Sequence, residues 1–426
     1  MMFDKTIPLN EFITLQRGFD LPKSKRQEGS IPIIASTCVT GYHNEAKVKA
    51  PGVVIGRSGS IGGGQYIEED YWPLNTSLWV KDFKGHYPKY VYYLMKSIDF
   101  SGFNVGTGVP TLNRNHLSSL LVADIGYEKE KEIAEALSSL DNKISNNTAM
   151  NATLEKIAQR IFKSWFVDFD PVKANAEDVT SDGLSPEIQA LFPNEFEESE
   201  LGMIPKGWEA VNFGSQLIHT IGGDWGKEVL DEKHTENVRI IRGTDFNNLL
   251  KGNDSAVPTR FVEAKKLKTR KLESNDIIIE VSGGSPTQPT GRSMRISEDV
   301  LDLLALPVEP ASFCRLFRPA SAEVSTLLSH HLTRLYNEGG TWKYQNQSTG
   351  ISNFQTKYFL ENELVVMPSE DILRQFHKTI KPIVNKISLN GSQINSLSKI
   401  RDKLLPRLIS GKITIQKSEE LLEEAS

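Results

Sequence analysis

Asn142-Lys143-Ile144-Ser145 returns letter for letter as Asn385-Lys386-Ile387-Ser388, and each copy sits inside a long amphipathic stretch. In the first stretch, roughly Glu132 to Phe166, the residues Ile133, Leu137, Leu140, Ile144, Asn147, Asn151, Leu154, Ala158, Ile161 and Trp165 recur with alternating steps of four and three. A 3.5-residue average puts one stripe on one helix face, the seam of a coiled coil. At a constant offset of 243 residues, the second stretch, about Phe376 to Ile413, reads Phe376, Ile380, Ile383, Ile387, Asn390, Ile394, Leu397, Arg401, Leu404 and Leu408. The residues expected to pair the helices are Ile144, Asn147, Leu154 and Ile161 in one copy and Ile387, Asn390, Leu397 and Leu404 in the other. Asn147 and Asn390 occupy the same seam position, where a polar residue costs stability and fixes alignment. A helix of about 35 residues spans roughly 50 Å at about 1.5 Å per residue. Such a rod needs a partner for its stripe, and the expected partner is its own repeat, packed antiparallel.

Outward from the rods, the spacing predicts a duplicated plan. Residues 1–127 read as an α/β globule, 128–170 as the first helical spacer and 171–205 as an acidic connector. Residues 206–371 read as a second α/β globule, 372–413 as the second spacer and 414–426 as an acidic tail. The fold class is therefore two α/β (α+β) globules separated by two long antiparallel coiled-coil helices, a pseudo-two-fold repeat. In the first globule, residues 51–64 read as a short buried strand running into a glycine-rich turn, Leu78-Trp79-Val80 as a second strand and Tyr87 to Ile98 as a helix. Pro171 is expected to stop the first long helix. In the second copy Pro382, Gly391 and Pro406 are expected to kink, weaken and interrupt the helix. The globules echo each other more loosely than the rods. Ser58-Gly59 falls on Ser282-Gly283 at an offset of 224, and Gly108 on Gly350 at 242, so the second globule holds about 18 extra residues between these landmarks.

Composition narrows the function classes. The 426 residues are 38% hydrophobic and 24% charged, as in ordinary globular proteins. No run approaches the length of a membrane span, and the start has no signal-peptide core, so the expectation is a cytoplasmic chain. Cys38 and Cys314 lie far apart without metal-ligand spacing and read as reduced structural thiols. The net charge of −5 and pI near 6.0 speak against a free-standing DNA binder. The connector softens that objection: it carries eight acids against Lys173 alone, which leaves the rest of the chain slightly basic.

The sequence contains no reacting constellation. GxxxxGK[ST], GxGxxG, HExxH and the Asp/Asn-Pro-Pro-Tyr/Phe segment of amino-methyltransferases are all missing. His330-His331 reads as a surface or core pair on a helix, and Glu263-Ala264-Lys265 as a chance match to a nuclease triplet. What the globules do hold is groove chemistry. Arg57 and Ser58 in one copy, and Ser282 and Ser285 in the other, put small donors and bare backbone on tight turns suited to phosphates. Asn104, Thr107, Asn113 and Arg114, and Gln345, Asn346, Gln347, Ser348 and Thr349, are amides, hydroxyls and a guanidinium on paired loops. Such groups read adenine and guanine edges. Lys23, Lys25 and Arg26, with Arg292 and Lys343, are the candidate backbone contacts.

Three segments carry a family resemblance: residues 165–171, Trp165-Phe166-Val167-Asp168-Phe169-Asp170-Pro171; residues 202–209, Gly202 to Glu209; and residues 404–413, Leu404 to Ile413. With the double globule-plus-helix plan, the chain resembles the specificity (S) subunits of type I restriction–modification systems along nearly its whole length. It opens almost directly on the first globule, without a separate helix before it. The resemblance implies two target-recognition domains, each reading half of a split site in double-stranded DNA. It implies rods that dock methyltransferase (M) subunits, two per chain, and through them restriction (R) subunits. It implies no catalysis and no cofactor in this chain, with S-adenosylmethionine, ATP and magnesium in the partners. The recognition loops are the family's variable part, so the loop residues above rest on their chemistry alone. The rod length bounds the distance between the far ends of the two half-sites at roughly 15 base pairs, so the unspecified spacer is expected to be shorter. Rival readings are a coiled-coil adaptor that binds other proteins, and a nuclease or methyltransferase in its own right.

Overall fold

The structure is a computed structural model and describes residues 5–106, 108–283, 287–348 and 351–416, with only the backbone of Gln347, Ser348 and Ile351. The chain divides into two compact units, and the division is not linear. The first unit is residues 1–144 with 396–426, and the second is residues 145–395.

Two forty-residue helices, Tyr127–Phe166 and Glu370–Ile409, keep the 243-residue offset at both ends. Each opens on acidic residues, Glu128 and Glu130 or Glu370 and Asp371, and closes on a base, Lys163 or Arg407. Those charges complement the helix dipole. Within the second unit the pairing is antiparallel: as the first helix advances from Asn147 through Asn151 to Phe162, its partners fall from Gln393 through Ile387 to Phe376. Within the first unit Arg401 meets Asp141 at 2.8 Å, and Leu137 and Leu140 share a core with Leu404 and Leu408.

The seam differs in detail from the expectation. Asn147 and Asn390 do not meet each other. Asn147 donates to Gln393 at 3.0 Å, and Asn390 donates to Asn151 at 2.8 Å. Antiparallel packing places Asn390 opposite the seam position four residues past Asn147, and Asn147 opposite Gln393, three residues past Asn390 and beside the seam. Leu404 is buried, whereas Ile144, Leu154, Ile161, Ile387 and Leu397 are half-buried, because two helices alone cover a stripe only partly.

Several boundaries are corrected. The second long helix is unbroken through Pro382, Gly391 and Pro406. Phe376 and Ile380 before Pro382, and Leu404, Leu405, Leu408 and Ile409 around Pro406, are buried. Burying each such side chain is worth about 1.5–3 kcal/mol, enough to override a proline cost of roughly 3 kcal/mol. The helix stops at Ile409 rather than Ile413, and Lys412 N–H turns back to Arg407 O. Pro171 does not stop the first helix, which ends at Phe166; it sits in the opening turn of a new helix, Asp170–Ala176, where its missing N–H costs nothing. The acidic connector is folded. It contains the short helix Pro186–Gln189 and the hairpin Phe196–Ser199 with Gly202–Pro205. It buries Val172, Phe192 and Ile204 with Trp165, Phe166 and Trp208 in the core of the second unit. The glycines 62–64 open a strand, Gly62–Ile67, rather than only a turn.

The two globules have the same topology. In the first unit an antiparallel sheet runs in the order Thr14–Arg17, Ser77–Asp82, Gly52–Gly56, Gly62–Ile67. In the second it runs Leu217–Gly222, Cys314–Pro319, Ile277–Glu280, Ser293–Arg295. The runs Val53-Val54-Ile55 and Ile277-Ile278-Ile279 are β-branched and wholly buried, as central strands require. A smaller sheet repeats as well: Ile31–Ile34 between antiparallel Val39–His43 and parallel Trp72–Pro73, and Glu236–Ile241 between antiparallel Thr259–Val262 and parallel Val308–Pro310. The extra residues of the second copy form the helices Phe246–Leu249, Ala264–Arg270 and Glu298–Leu304, and lengthen its counterpart of Pro88–Ser97 to Ala322–Asn337.

Candidate nucleic-acid interface

In each unit the central strand runs out into a turn, and a loop from just before the next long helix lies against that turn. In the first unit Ser58 bridges Thr111, Gly59 N–H bonds Pro110 O at 3.0 Å and Leu112 N–H bonds Arg57 O at 2.8 Å. In the second, Ser282 pairs with Asn353 and Gly283 with Ser352, while Gln345–Ser348 adds an outer strand to Ile351–Phe354. The sequence offsets hold residue by residue: Ser58 maps to Ser282 and Thr111 to Asn353, so both ends of the bridge are conserved between copies. Gly59 and Pro110 also line an open cleft of about 430 Å³ with Ile61, Gly63, Ile98 and Phe100.

Many of the candidate side chains serve the loops themselves. Asn104 Oδ1 accepts the N–H groups of Gly106 and Thr111, both at 2.9 Å. Asn113 caps the helix Arg114–Leu117 by accepting Asn115 N–H at 3.0 Å. Gln345 Oε1 accepts from Thr290 N–H at 2.9 Å, and Asn346 Oδ1 from Gln355 at 2.6 Å. Arg57 Nε donates to Asn75 O at 2.9 Å. Arg292 forks onto the buried Glu280 through two 2.9 Å hydrogen bonds, so its charge is matched inside the unit. Lys343 lies 2.9 Å from Glu363 and over the Tyr344 ring. Arg26 donates to Thr40 O at 3.0 Å. Lys23, Lys25 and Arg114 are exposed, and Ser58 and Ser282 are half-buried on their turns. Thr107, Ser285 and Thr349 lie outside the described residues, as do the side chains of Gln347 and Ser348.

The second unit also exposes a row of lysines outside the turn and its facing loop. Lys265, Lys268 and Lys271 stand exposed at three-residue steps along and just past the inserted helix Ala264–Arg270. The i, i+3 rule puts the first two on one face, a row legible in the sequence itself. Lys266 is turned inward onto Asp224 at 2.9 Å.

Each unit also ties its loops to a buried carboxylate. Glu363 accepts from His331 at 2.8 Å, Tyr344 at 2.5 Å and Lys343. Burial alone would raise Glu363, but these donors, His331 foremost, hold it down at about 2. His330 faces elsewhere, bonded to Gln159, and burial lowers it to about 4. In the first unit Glu130 accepts from His86 at 2.7 Å and from Tyr87 N–H at 2.8 Å. His86, Glu130 and Asp124 have metal-ligand spacing, yet both oxygens of Glu130 already accept hydrogen bonds and Asp124 pairs with Lys5. The cluster works as a clamp between a loop and the first turn of the long helix. No helix among the described residues is long and apolar enough to cross a membrane.

Comparison with known proteins agrees with this geometry. Residues 5–156 match the type I restriction modification DNA specificity domain. The MjaIX type I restriction enzyme specificity subunit of Methanocaldococcus jannaschii is 29% identical over 364 residues, covering 81% of this chain and 74% of that one. The HindI specificity subunit of Haemophilus influenzae is 27% identical over 348 residues, covering 71% of each. The crystal structure of a type I restriction–modification S subunit from M. genitalium superposes with a TM-score of 0.60 at 15% identity, over 95% of this chain and 96% of that one, and so shares the fold. With its recurring turn-and-loop frame set on two repeated helices, the chain is similar in sequence and in fold to the specificity subunits of type I restriction–modification systems.

Proposed function

We propose that the chain reads a bipartite, asymmetric site in double-stranded DNA, each globule taking one half through its turn and facing loop. The observation that carries this reading is that one turn-against-loop frame occurs twice with different side chains. A shared frame gives a common way of approaching the duplex, and unlike side chains give unlike half-sites. The long helices space the two readers and dock two methyltransferase subunits, through which restriction subunits attach. The chain itself is non-catalytic and acts in the cytoplasm. S-adenosylmethionine, ATP and magnesium are bound by the partner subunits.

Mapping methylated positions in DNA carrying this system tests the reading, and the expected outcome is one split motif with two different halves. A continuous motif, or none, would refute it. The lone chain is expected to bind duplex weakly and with strong salt dependence, and the assembly tightly, because partner subunits supply much of the phosphate attraction. Replacing Lys265, Lys268 and Lys271 together by alanine should reduce the slope of log K against log salt by about 2 to 3 in the assembled complex, since each phosphate contact contributes about 0.9. An unchanged slope would show that this row does not face the backbone.

A further inference from the structure

The second unit carries a segment with no counterpart in the first, and its tip lies against a long helix. In the first unit a four-residue turn joins Ile31–Ile34 to Val39–His43. The corresponding strands Glu236–Ile241 and Thr259–Val262 are joined by residues 242–258. This insert is built into the core. Phe246, Leu249 and Val257 are buried with Ile241, Ile278 and Met294. Arg242 forks onto Asp245, and Arg239 holds Asp254 at 3.0 Å.

The tip, Leu250-Lys251-Gly252, meets the second long helix backbone to backbone. A Cβ on Gly252, which has a φ of +68°, would stand 2.8 Å from the carbonyl carbon of Gly391. A Cβ on Gly391 would stand 2.8 Å from Leu250 O. Asn395 donates to Gly252 O at 2.6 Å. Gly391 and Asn395 are one turn apart on the same helix face. Burial raises the Glu155 carboxyl on the first long helix, and the charge of Lys251 opposes that rise, so the tip faces both helices. At the 243-residue offset the first helix has Thr148 and Ala152 in these two places. Neither the tip nor its seat is present in the first copy.

We propose that Gly252 seated on Gly391, and locked by Asn395, is the brace that sets the attitude of the second recognition domain on the rods, and so the number of unspecified base pairs between the half-sites. The proposal rests on the bipartite reading above. Each base pair advances the duplex by about 3.4 Å and turns it by about 35°, so a small tilt of the reader changes which base pair it meets. A backbone-on-backbone contact has no rotamer to relax, and one added methyl must move the domain or the helix.

The test uses the chain assembled with its methyltransferase subunits, labelled S-adenosylmethionine and duplexes whose half-sites are constant while the spacer varies by one base pair at a time. The wild-type complex is expected to prefer one spacer. Gly391→Ala should lower the ratio of methylation on that spacer to methylation on its one-base-pair neighbours by about fivefold. Asn395→Ala removes the hydrogen bond without adding an atom and should move the ratio the same way by less. Half-site base preferences should stay unchanged in both. An unchanged spacer profile in both variants overturns the brace, as does an equal loss on every spacer with Asn395→Ala. A wild-type complex indifferent to spacer length overturns the bipartite reading and the brace with it.

Discussion

The first and second globules share a strand order down to the parallel pairing of their smaller sheets, yet they carry charge in their cores differently. The first domain places Trp72 in register with Ile33 on its parallel strand, and Lys47 lies over the indole at 4.8 Å. The second places Glu309 in register with Ile240 at the same point of the sheet. Glu309 is fully buried and neither of its oxygens has a hydrogen-bond partner. The anchors beneath the loops differ too: Glu130 accepts two hydrogen bonds, Glu363 three. A repeated frame thus tolerates very unlike electrostatics, because strand order depends on apolar runs such as Val53-Val54-Ile55 and Ile277-Ile278-Ile279 rather than on any polar contact.

The largest effect that would separate the domains is loss of the second anchor. Glu363→Ala leaves His331, Tyr344 and Lys343 facing a void, and breaking a buried charged network from one side costs roughly 3–5 kcal/mol. Hydrogen exchange read by mass spectrometry should show the loss in peptides of the second unit and leave residues 5–123 protected. Glu363 is depressed in the folded state, so its stabilising contribution is present above the ordinary carboxylate range and is lost as pH falls towards about 2. Equal loss of protection in both units would mean that the two domains do not differ in this way.

Glu309 gives the opposite sign. Burial pushes it up to about 7; Asp224 adds to the rise, and Arg270 and Lys266 oppose it. The folded state then holds a proton that the unfolded chain releases near pH 4.5, so stability falls as pH rises from about 4.5 to 7 and stays lower above that. Glu309→Gln keeps the shape and removes the titration. It should stabilise the second unit by up to about 3 kcal/mol at pH 8 and change little at pH 4. The first unit, with Trp72 at that place, should be unaffected. Protection measured across pH 4 to 8 decides it, and a gain that is the same at both ends would refute the assignment.

The rods were legible because a 3.5-residue stripe needs only residue types and counting, and both helices begin and end at the expected offset. The prolines misled because local propensity is weak beside the burial of Leu404, Leu405 and Leu408. The packing of the connector was not legible because its acids outnumber the few residues it buries, Val172, Phe192 and Ile204. The loops were legible as a pair and opaque one by one. Asn104, Asn113 and Gln345 have the composition of free readers of bases, and only the fold shows that their oxygens are taken by neighbouring N–H groups. The parts of the second domain that distinguish it, the brace at Gly252 and the acid at Glu309, depend on neighbours distant in sequence, which no periodicity records.

The smallest expected effect concerns the seam that the two copies share. Asn390 is fully buried, donates to Asn151 and leaves its own Oδ1 without a partner, while Asn151 also donates to Ile387 O at 3.1 Å. Replacing both by leucine, Asn151→Leu with Asn390→Leu, removes an unsatisfied buried acceptor and adds apolar surface, so the helices should gain about 1 kcal/mol. The same change removes the feature that distinguishes this register from one slipped by a heptad. Cysteines introduced at exposed flanking positions of the two helices would report on that slip by which pairs cross-link. The double variant is expected to be more stable and to cross-link in more than one register. If it is more stable and keeps a single register, the inserts and domain cores, rather than the asparagines, hold the rods in place. The rods would then take their alignment from the domains packed on them rather than from their own seam.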